Sequence, residues 1–342
     1  MSLRLETNAT PTAEWDAFVR QTTGNTACHW AGWRTVLESV FGHECHYLSA
    51  RAGDGTLAGV LPLVRVKSVL FGHYLVSMPY LNYGGPLGSA EAVRALAARA
   101  TELAEAGRVK RLELRSRVEL PLDLPVTHRK ITVVLDLVPG DADAVFKGFD
   151  SKLRSQVRRP RKEGVEVRFG RDQVEPFYRV FAEHMRDLGT PVMPRRYFEA
   201  IADTFGDAAW FACSWLGSTP IACGAGFRWG DEVEITWASS LRTHSRIAPN
   251  MALYWAFMER ATREGVRVFN FGRCTPGSPT HRFKRQWGAR DEPLWWYGVS
   301  RHAEEGTPSP TDGAYAWGPR LWRRLPARVA TALGPRIVRG IP

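Results

Sequence analysis

No stretch of this 342-residue chain approaches the roughly 18 uninterrupted apolar residues that a membrane-spanning helix requires. The longest apolar runs, such as Val133-Val134-Leu135, have the length of buried strands. The start, Met1-Ser2-Leu3-Arg4-Leu5-Glu6, lacks the apolar core of a signal peptide. Cysteine is scarce: Cys28, Cys45, Cys213, Cys223 and Cys274 are odd in number and irregularly spaced. That argues against a disulfide framework and for reduced thiols in a cytoplasm. A Walker A loop, a G-x-G-x-x-G run after a strand and an H-E-x-x-H helix are all missing. Nucleotide hydrolysis, dinucleotide redox and zinc-protease chemistry are therefore disfavoured. His43-Glu44-Cys45-His46, even with Cys28-His29 upstream, fits no zinc-ligand spacing, so no metal is expected. Acidic residues are outnumbered, 35 against 46 Lys and Arg, for a net charge of +11. Such an excess favours a polyanionic partner: nucleic acid, nucleotide-sugar, acidic glycan or anionic membrane.

The length suggests two domains. Helical periodicity marks 14–21 and 30–41, and a hairpin follows over 47–51 and 57–66 around Gly53-Asp54-Gly55. An apolar segment at 70–79 and a glycine-rich aromatic loop at 80–86 precede an alanine-rich helix over 90–106, stopped by Gly107. Strands are expected at 111–115 and 130–137. After the break at Pro139-Gly140-Asp141 the order repeats in outline. Helices are expected at 142–149, 151–162, 174–187 and 195–204, then strands at 210–215, 221–229 and 232–238. A helix over 250–263, a strand over 266–271, a short helix over 280–286 and a strand over 293–299 complete the series. Each half reads helices, hairpin, long helix, strand, strand. The order predicts a mixed α/β fold with partly antiparallel sheets flanked by helices, and it does not suit a Rossmann fold. The expected domains are 1–138 and 139–302, followed by a basic tail over 303–342 with six arginines and no acid beyond Asp312. The tail reads either as a basic amphipathic segment on a membrane or partner, or as a segment packed back on the body.

Three segments carry candidate chemistry. Six of the eleven residues in 152–162 are basic, and on a helix Arg154, Arg158 and Arg161 share a face that would clamp phosphate. The second segment, 239–250, runs from a strand end into a helix start, where free N–H groups, strengthened by Arg242 and Arg246, suit an anion. The third is a strand ending in Asn270-Phe271-Gly272-Arg273-Cys274, a glycine-containing loop, and the cationic-aromatic stretch His281-Arg282-Phe283-Lys284-Arg285-Gln286-Trp287-Gly288. A lysine there would stabilise an oxyanion, and this segment is expected to line the active site. Trp287 is a candidate for stacking on a sugar or base ring.

Phe271-Gly272-Arg273 followed by Phe283-Lys284-Arg285-Gln286-Trp287-Gly288 resembles the signature of FemAB-like proteins. Within that family the similarity is greatest to the subgroup associated with exosortase (PEP-CTERM) and exopolysaccharide gene clusters. The 152–159 run, Pro249-Asn250-Met251, Leu61-Pro62-Leu63-Val64, Ser77-Met78-Pro79-Tyr80 and Asn82-Tyr83-Gly84-Gly85 extend the resemblance over nearly the whole chain. The resemblance implies two tandem domains of the acetyltransferase (GNAT) fold. It also implies transfer of an acyl or aminoacyl group to a cell-wall or polysaccharide precursor, with Phe283 and Lys284 at the transfer site.

An acyl- or aminoacyl-transferase is therefore expected, acting on an amine or hydroxyl of a cell-envelope or exopolysaccharide precursor. Lys284 and Arg273 would take the developing negative charge, and His281 or His244 the proton. Arg154, Arg158, His244, Arg246, Asn250, Phe283 and Trp287 would bind substrate. No permanent cofactor is expected; the donor is acyl-CoA or aminoacyl-tRNA. The partners foreseen are an anionic small molecule or glycan precursor, with tRNA and the inner face of the membrane left open. The competing expectation is a non-catalytic scaffold or nucleic-acid-binding protein using 152–162.

Overall fold

A computed structural model describes residues 3–7, 12–68, 71–300 and 317–342. The expected linker at 306–310 lies outside the described residues. The chain divides into two compact units: Met1–Arg129 with Pro293–Ser309 and Arg336–Pro342, and Lys130–Glu292 with Pro310–Pro335.

In the first unit, β1 (Arg4–Glu6), α1 (Ala13–Gln21) and α2 (Trp33–Phe41) precede β2 (Glu44–Arg51), β3 (Leu57–Ser68), β4 (Gly72–Val76) and the short β5 (Leu87–Gly88). Then come α3 (Ala90–Ala106), β6 (Arg111–Ser116) and β7 (Val126–Thr127). The Ser89 hydroxyl caps α3 by accepting the Ala92 N–H at 3.2 Å. Val93, Leu96, Ala97 and Ala100 on α3 are buried with Leu61, Leu63, Leu75 and Leu112 in one core.

The second unit begins with β8 (Ile131–Asp136), α4 (Ala142–Gly148), α5 (Ser151–Lys162), β9 (Val165–Phe169), α6 (Val174–Leu188) and α7 (Arg195–Phe205). The meander β10 (Ala209–Leu216), β11 (Thr219–Trp229) and β12 (Glu232–Ser240) leads to α8 (Pro249–Arg263), β13 (Val268–Cys274), α9 (Pro279–Arg285) and β14 (Arg290–Pro293). Beyond it, β15 (Trp295–Ser300) returns to the first unit. The tail forms α10 (Trp317–Trp322) and α11 (Ala327–Val338). The core of this unit gathers Val133, Trp210, Val233, Leu253, Phe257, Phe269, Phe271 and Trp287.

The sheets run β1-β2-β3-β4-β6-β15-β7 and β14-β8-β13-β12-β11-β10-β9. Each holds one short parallel contact within an antiparallel meander: β4 with β6 over three pairs, and β12 with β13 over Glu232↔Val268, Val233↔Phe269 and Glu234↔Asn270. Next to each parallel pair lies an antiparallel strand distant from it in sequence. It is β15 beside β6, and β8 beside β13. The repeat seen in the sequence is thus real in element order, but its last strands are exchanged. The 130–137 strand, expected in the first domain, pairs in the second sheet, and the 293–299 strand pairs in the first. Apolar alternation identifies a strand and does not name its neighbour.

The three-residue parallel contact has a local cause. The β11–β12 register shifts between Ala225 and Gly226, a bulge that bends the strand. Gly226 lies so close to its neighbour that a Cβ there would sit 1.9 Å from the Glu234 carbonyl oxygen. Beyond Glu234 and Asn270, β12 and β13 make no further pairs with each other. In the first unit the stretch beyond the parallel pair is covered by its own chain. Ser77 N–H donates to the Glu113 carbonyl at 2.9 Å, and Gly85 N–H to that of Arg115 at 2.7 Å. The Ser77 hydroxyl accepts the Arg115 N–H at 2.7 Å. Buried Arg115 pairs with Glu113 at 2.8 Å and donates to the Leu81 carbonyl at 3.1 Å. Met78 and Tyr80 in that loop hold positive φ, 59° and 69°.

Candidate active site

The end of β13 is shaped by Asn270, which is fully buried. Its Oδ1 accepts the Thr132 hydroxyl at 2.6 Å and the Gly272 N–H at 2.8 Å, while its Nδ2 donates to Glu232 at 2.9 Å. One side chain thus ties β8, β12 and β13 together. The β13–β8 register shifts between Asn270 and Arg273, and Gly272 takes φ +72°. The bulge turns two carbonyls toward α9. Lys284 Nζ donates to the Gly272 oxygen at 2.6 Å and to the Arg273 oxygen at 3.0 Å. Lys284 is only 3% exposed. Burial lowers its ammonium to about 8, with Cys274 and Glu234 opposing the shift and Arg273 adding to it.

Helix α9 starts where Pro279 follows Ser278, whose hydroxyl accepts the His281 N–H at 3.1 Å. His281 Nδ1 accepts the Gly277 N–H at 3.0 Å, and its Nε2 lies 3.0 Å from both carboxylate oxygens of Asp291. Both ring nitrogens are engaged, which makes His281 a brace between the loop before α9 and the start of β14. Phe283 packs on Tyr254 with ring centroids 5.0 Å apart. Trp287 is buried among Phe149, Tyr254 and Phe271.

Beside Phe283 a cavity of about 390 Å³ opens, lined from α5 by Gln156 and Arg159, from the β12–α8 connection by Ser245, Arg246 and Ala248, from α8 by Asn250 and Met251, and from α9 by Phe283 and Gln286. The lining carries two guanidiniums and no carboxylate. Helix α8 has no side-chain cap, and its N-cap Ala248 adopts the left-handed conformation at φ +55°. An alanine there is strained by about 1 kcal/mol, and such strain gathers at functional sites. Uncapped N–H groups, the positive end of the helix dipole and two arginines give this cavity a positive lining.

The structure brings together some of the residues singled out in the sequence. Arg246, Asn250 and Phe283 line the cavity. The 152–162 helix contributes through Gln156 and Arg159, not through the Arg154–Arg158–Arg161 face. Burial of Leu153, Val157 and Pro160 fixes the rotation of α5. It leaves Arg154 donating to the Lys147 carbonyl at 3.0 Å and to that of Phe149, and Arg158 stacked 5.0 Å over Phe146. His244 sits outside the cavity, its Nδ1 2.9 Å from the Thr243 hydroxyl. Trp287 belongs to the core, so its ring offers no face to a sugar or base. Lys284 reaches backbone carbonyls and does not line the cavity, although its neighbour Phe283 does. Arg273 is half-buried and contributes positive potential to Lys284 and Lys130. Ser245 and Gln286 were missed as lining residues, yet both lie inside segments the sequence marked. Burial raises the Cys274 thiol above its ordinary value, which is the reverse of an activated nucleophile.

These features define a fold class. Residues 148–285 match the acetyltransferase (GNAT) domain family. Among solved structures, FemX is 16% identical, with 86% of this chain and 97% of FemX aligned at a TM-score of 0.63. A tandem GNAT protein from the clavulanic acid biosynthesis pathway is 14% identical, with 89% and 100% covered and a TM-score of 0.55. L-PGS from Bacillus licheniformis is 12% identical, with 92% and 98% covered and a TM-score of 0.53. The sequence matches no curated protein. The chain has a mixed α/β fold with two helix-flanked sheets, shared with FemX and tandem GNAT proteins, and its second unit carries a GNAT domain.

Proposed function

We propose that this protein is an acyltransferase of FemAB type whose second unit binds a phosphate-bearing donor, acyl-CoA, in the Arg159–Arg246 cavity. The observation that carries the reading is the meeting of three things at one place. These are the uncapped start of α8, two guanidiniums, and the wall formed by Gln286 and Phe283, the latter next to Lys284 in sequence. A donor phosphate would sit on Arg159, Arg246 and the first N–H groups of α8. The acyl arm would run along the parted edges of β12 and β13.

In the reaction an acceptor amine or hydroxyl attacks the thioester carbonyl. The C–S bond breaks as the new C–N or C–O bond forms, and the departing thiolate takes up the acceptor's proton. Lys284 has three N–H donors. Two are committed to the Gly272 and Arg273 carbonyls, and the third is assigned to the oxyanion. Arg273 adds positive potential. His281 is assigned a positioning role, since both its ring nitrogens are engaged. The acceptor class is a cell-envelope or exopolysaccharide precursor. The resemblance of the Phe271–Arg273 and Phe283–Gly288 segments to FemAB-like proteins and the fold shared with FemX support that choice. Separate titrations of the full chain with acyl-CoA and with aminoacyl-tRNA, each followed by a transfer assay, test the donor. Saturable acyl-CoA binding weakened by Arg246→Ala supports the reading. Binding of aminoacyl-tRNA alone moves the donor to that class, and binding of neither overturns it.

A further inference from the structure

The tail helices carry a surface that the transfer reaction leaves unused. Residues 317–342 contain six arginines and no aspartate or glutamate. In the part that belongs to the second unit, Arg320, Arg323, Arg324 and Arg328 are all exposed. Among them stand Leu321, 55% exposed, Val329, 41%, and Leu333, 40%. Leu188, 44% exposed, adjoins them, because the Arg323 guanidinium donates to its carbonyl at 3.4 Å. Seven large apolar side chains are exposed among the described residues, and four of them belong to this one region.

The exposure is built in. Val329 and Leu333 are four residues apart and share one face of α11. The adjacent face is pinned, with Ala330 2% exposed and Gly334 packed so tightly that a Cβ would lie 2.8 Å from the Val192 nitrogen. Arg186 donates to the Leu325 carbonyl at 3.5 Å, and a Cβ on Gly189 would lie 2.5 Å from the Pro319 carbonyl oxygen. The helices are therefore held against the unit, and α11 cannot roll its leucine and valine inward.

We propose that this face of the second unit docks on the surface of an anionic lipid bilayer. Aliphatic side chains interleaved with arginines, on tail helices that carry no carboxylate, give the two signals a peripheral contact needs: insertion below the headgroups and attraction to negative lipid. A nucleic-acid surface would have no use for the aliphatic row, and a protein partner would need acidic residues around an apolar patch. The proposal does not depend on the donor or the acceptor, because binding is read without turnover.

The test is co-sedimentation of the full chain with vesicles of phosphatidylcholine alone and of phosphatidylcholine mixed with phosphatidylglycerol, at low and high salt. The protein is expected to pellet with the anionic vesicles and to partition at least about tenfold less onto the neutral ones. Two triple variants at exposed positions, Leu321→Ser/Val329→Ser/Leu333→Ser and Arg320→Ser/Arg324→Ser/Arg328→Ser, are each expected to lose about tenfold or more in partitioning. Their circular dichroism is expected to match that of the parent. Equal partitioning onto both vesicle types, no partitioning, or an apolar variant that binds like the parent would each overturn the proposal.

Discussion

Lys284 Nζ lies 2.6 Å from the carbonyl oxygen of Gly272, twelve residues earlier in the chain, and this bond joins α9 to the bulged end of β13. The same lysine closes the bulge and holds a cation beside Phe283. Its proton is the feature of the site most open to pH. The folded value, about 8, lies below the ordinary 10.5. Above about pH 8 the folded protein loses the proton, and the oxyanion loses its partner. The rate of transfer, kcat/KM, is therefore expected to fall as pH rises through about 8. Lys284→Arg, whose charge does not titrate in this range, should abolish that limb. Stability moves the other way. Between about 8 and 10.5 the unfolded chain binds a proton that the folded chain does not, so this group's contribution to stability rises with pH. A rate that falls in this window while the melting temperature holds would separate the two effects. A flat profile would remove Lys284 from the reaction.

Asn270 predicts a stability effect at the same strand end. Asn270→Ala removes the acceptor of the Gly272 N–H and one hydrogen bond each from the Thr132 hydroxyl and Glu232. A cost of about 2–4 kcal/mol is expected in chemical denaturation. A loss under about 0.5 kcal/mol would mean that this network does not hold the strands.

Two single-methyl changes probe the backbone of the second unit. In Gly226→Ala the new methyl would meet the Glu234 carbonyl, so the protein should lose several kcal/mol or fail to accumulate folded. Ala248→Gly relieves the left-handed strain at φ +55° and should leave stability unchanged or raise it by about 1 kcal/mol. Thermal unfolding of both variants checks the pair, and opposite signs are the expected result.

The single-donor reading makes a stoichiometric prediction. In the first unit the stretch beyond the parallel pair is covered by the chain at Ser77 and Gly85. In the second unit β12 and β13 pair no further than Glu234 and Asn270. Equilibrium dialysis with labelled acyl-CoA should saturate at one donor per chain. Two equivalent sites would contradict the assignment of the donor to the second unit.

Much of the fold was legible because local signals coincide. The helix over 90–106 is bounded by Ser89 and Gly107, and that over 151–162 starts at the Asp150 cap. The third chemical segment was legible too, as a strand end followed by Pro279 and a cationic helix. Strand partnership was not legible. β8 and β15 carry ordinary apolar alternation, and only the tertiary fold sends each to the sheet beyond its own repeat. The face that α5 turns to the cavity was not legible, because arginines at 154, 158 and 161 also share a helical face. Leu153, Val157 and Pro160, once buried, turn Gln156 and Arg159 toward the cavity instead. The work of Lys284 could not be foreseen from spacing, since it depends on the positive φ of Gly272, which exposes two carbonyls to its ammonium.

The most direct test of the central claim is calorimetric titration of acyl-CoA into the parent protein and into Arg159→Ala and Arg246→Ala. Charge-assisted contacts to phosphate are worth about 1.5–3 kcal/mol each, so each variant should bind the donor about ten- to a hundredfold more weakly. The loss should shrink at high salt. Saturable binding by the parent with that loss in both variants is the predicted result. Absence of acyl-CoA binding, or variants that bind as tightly as the parent, would contradict the account.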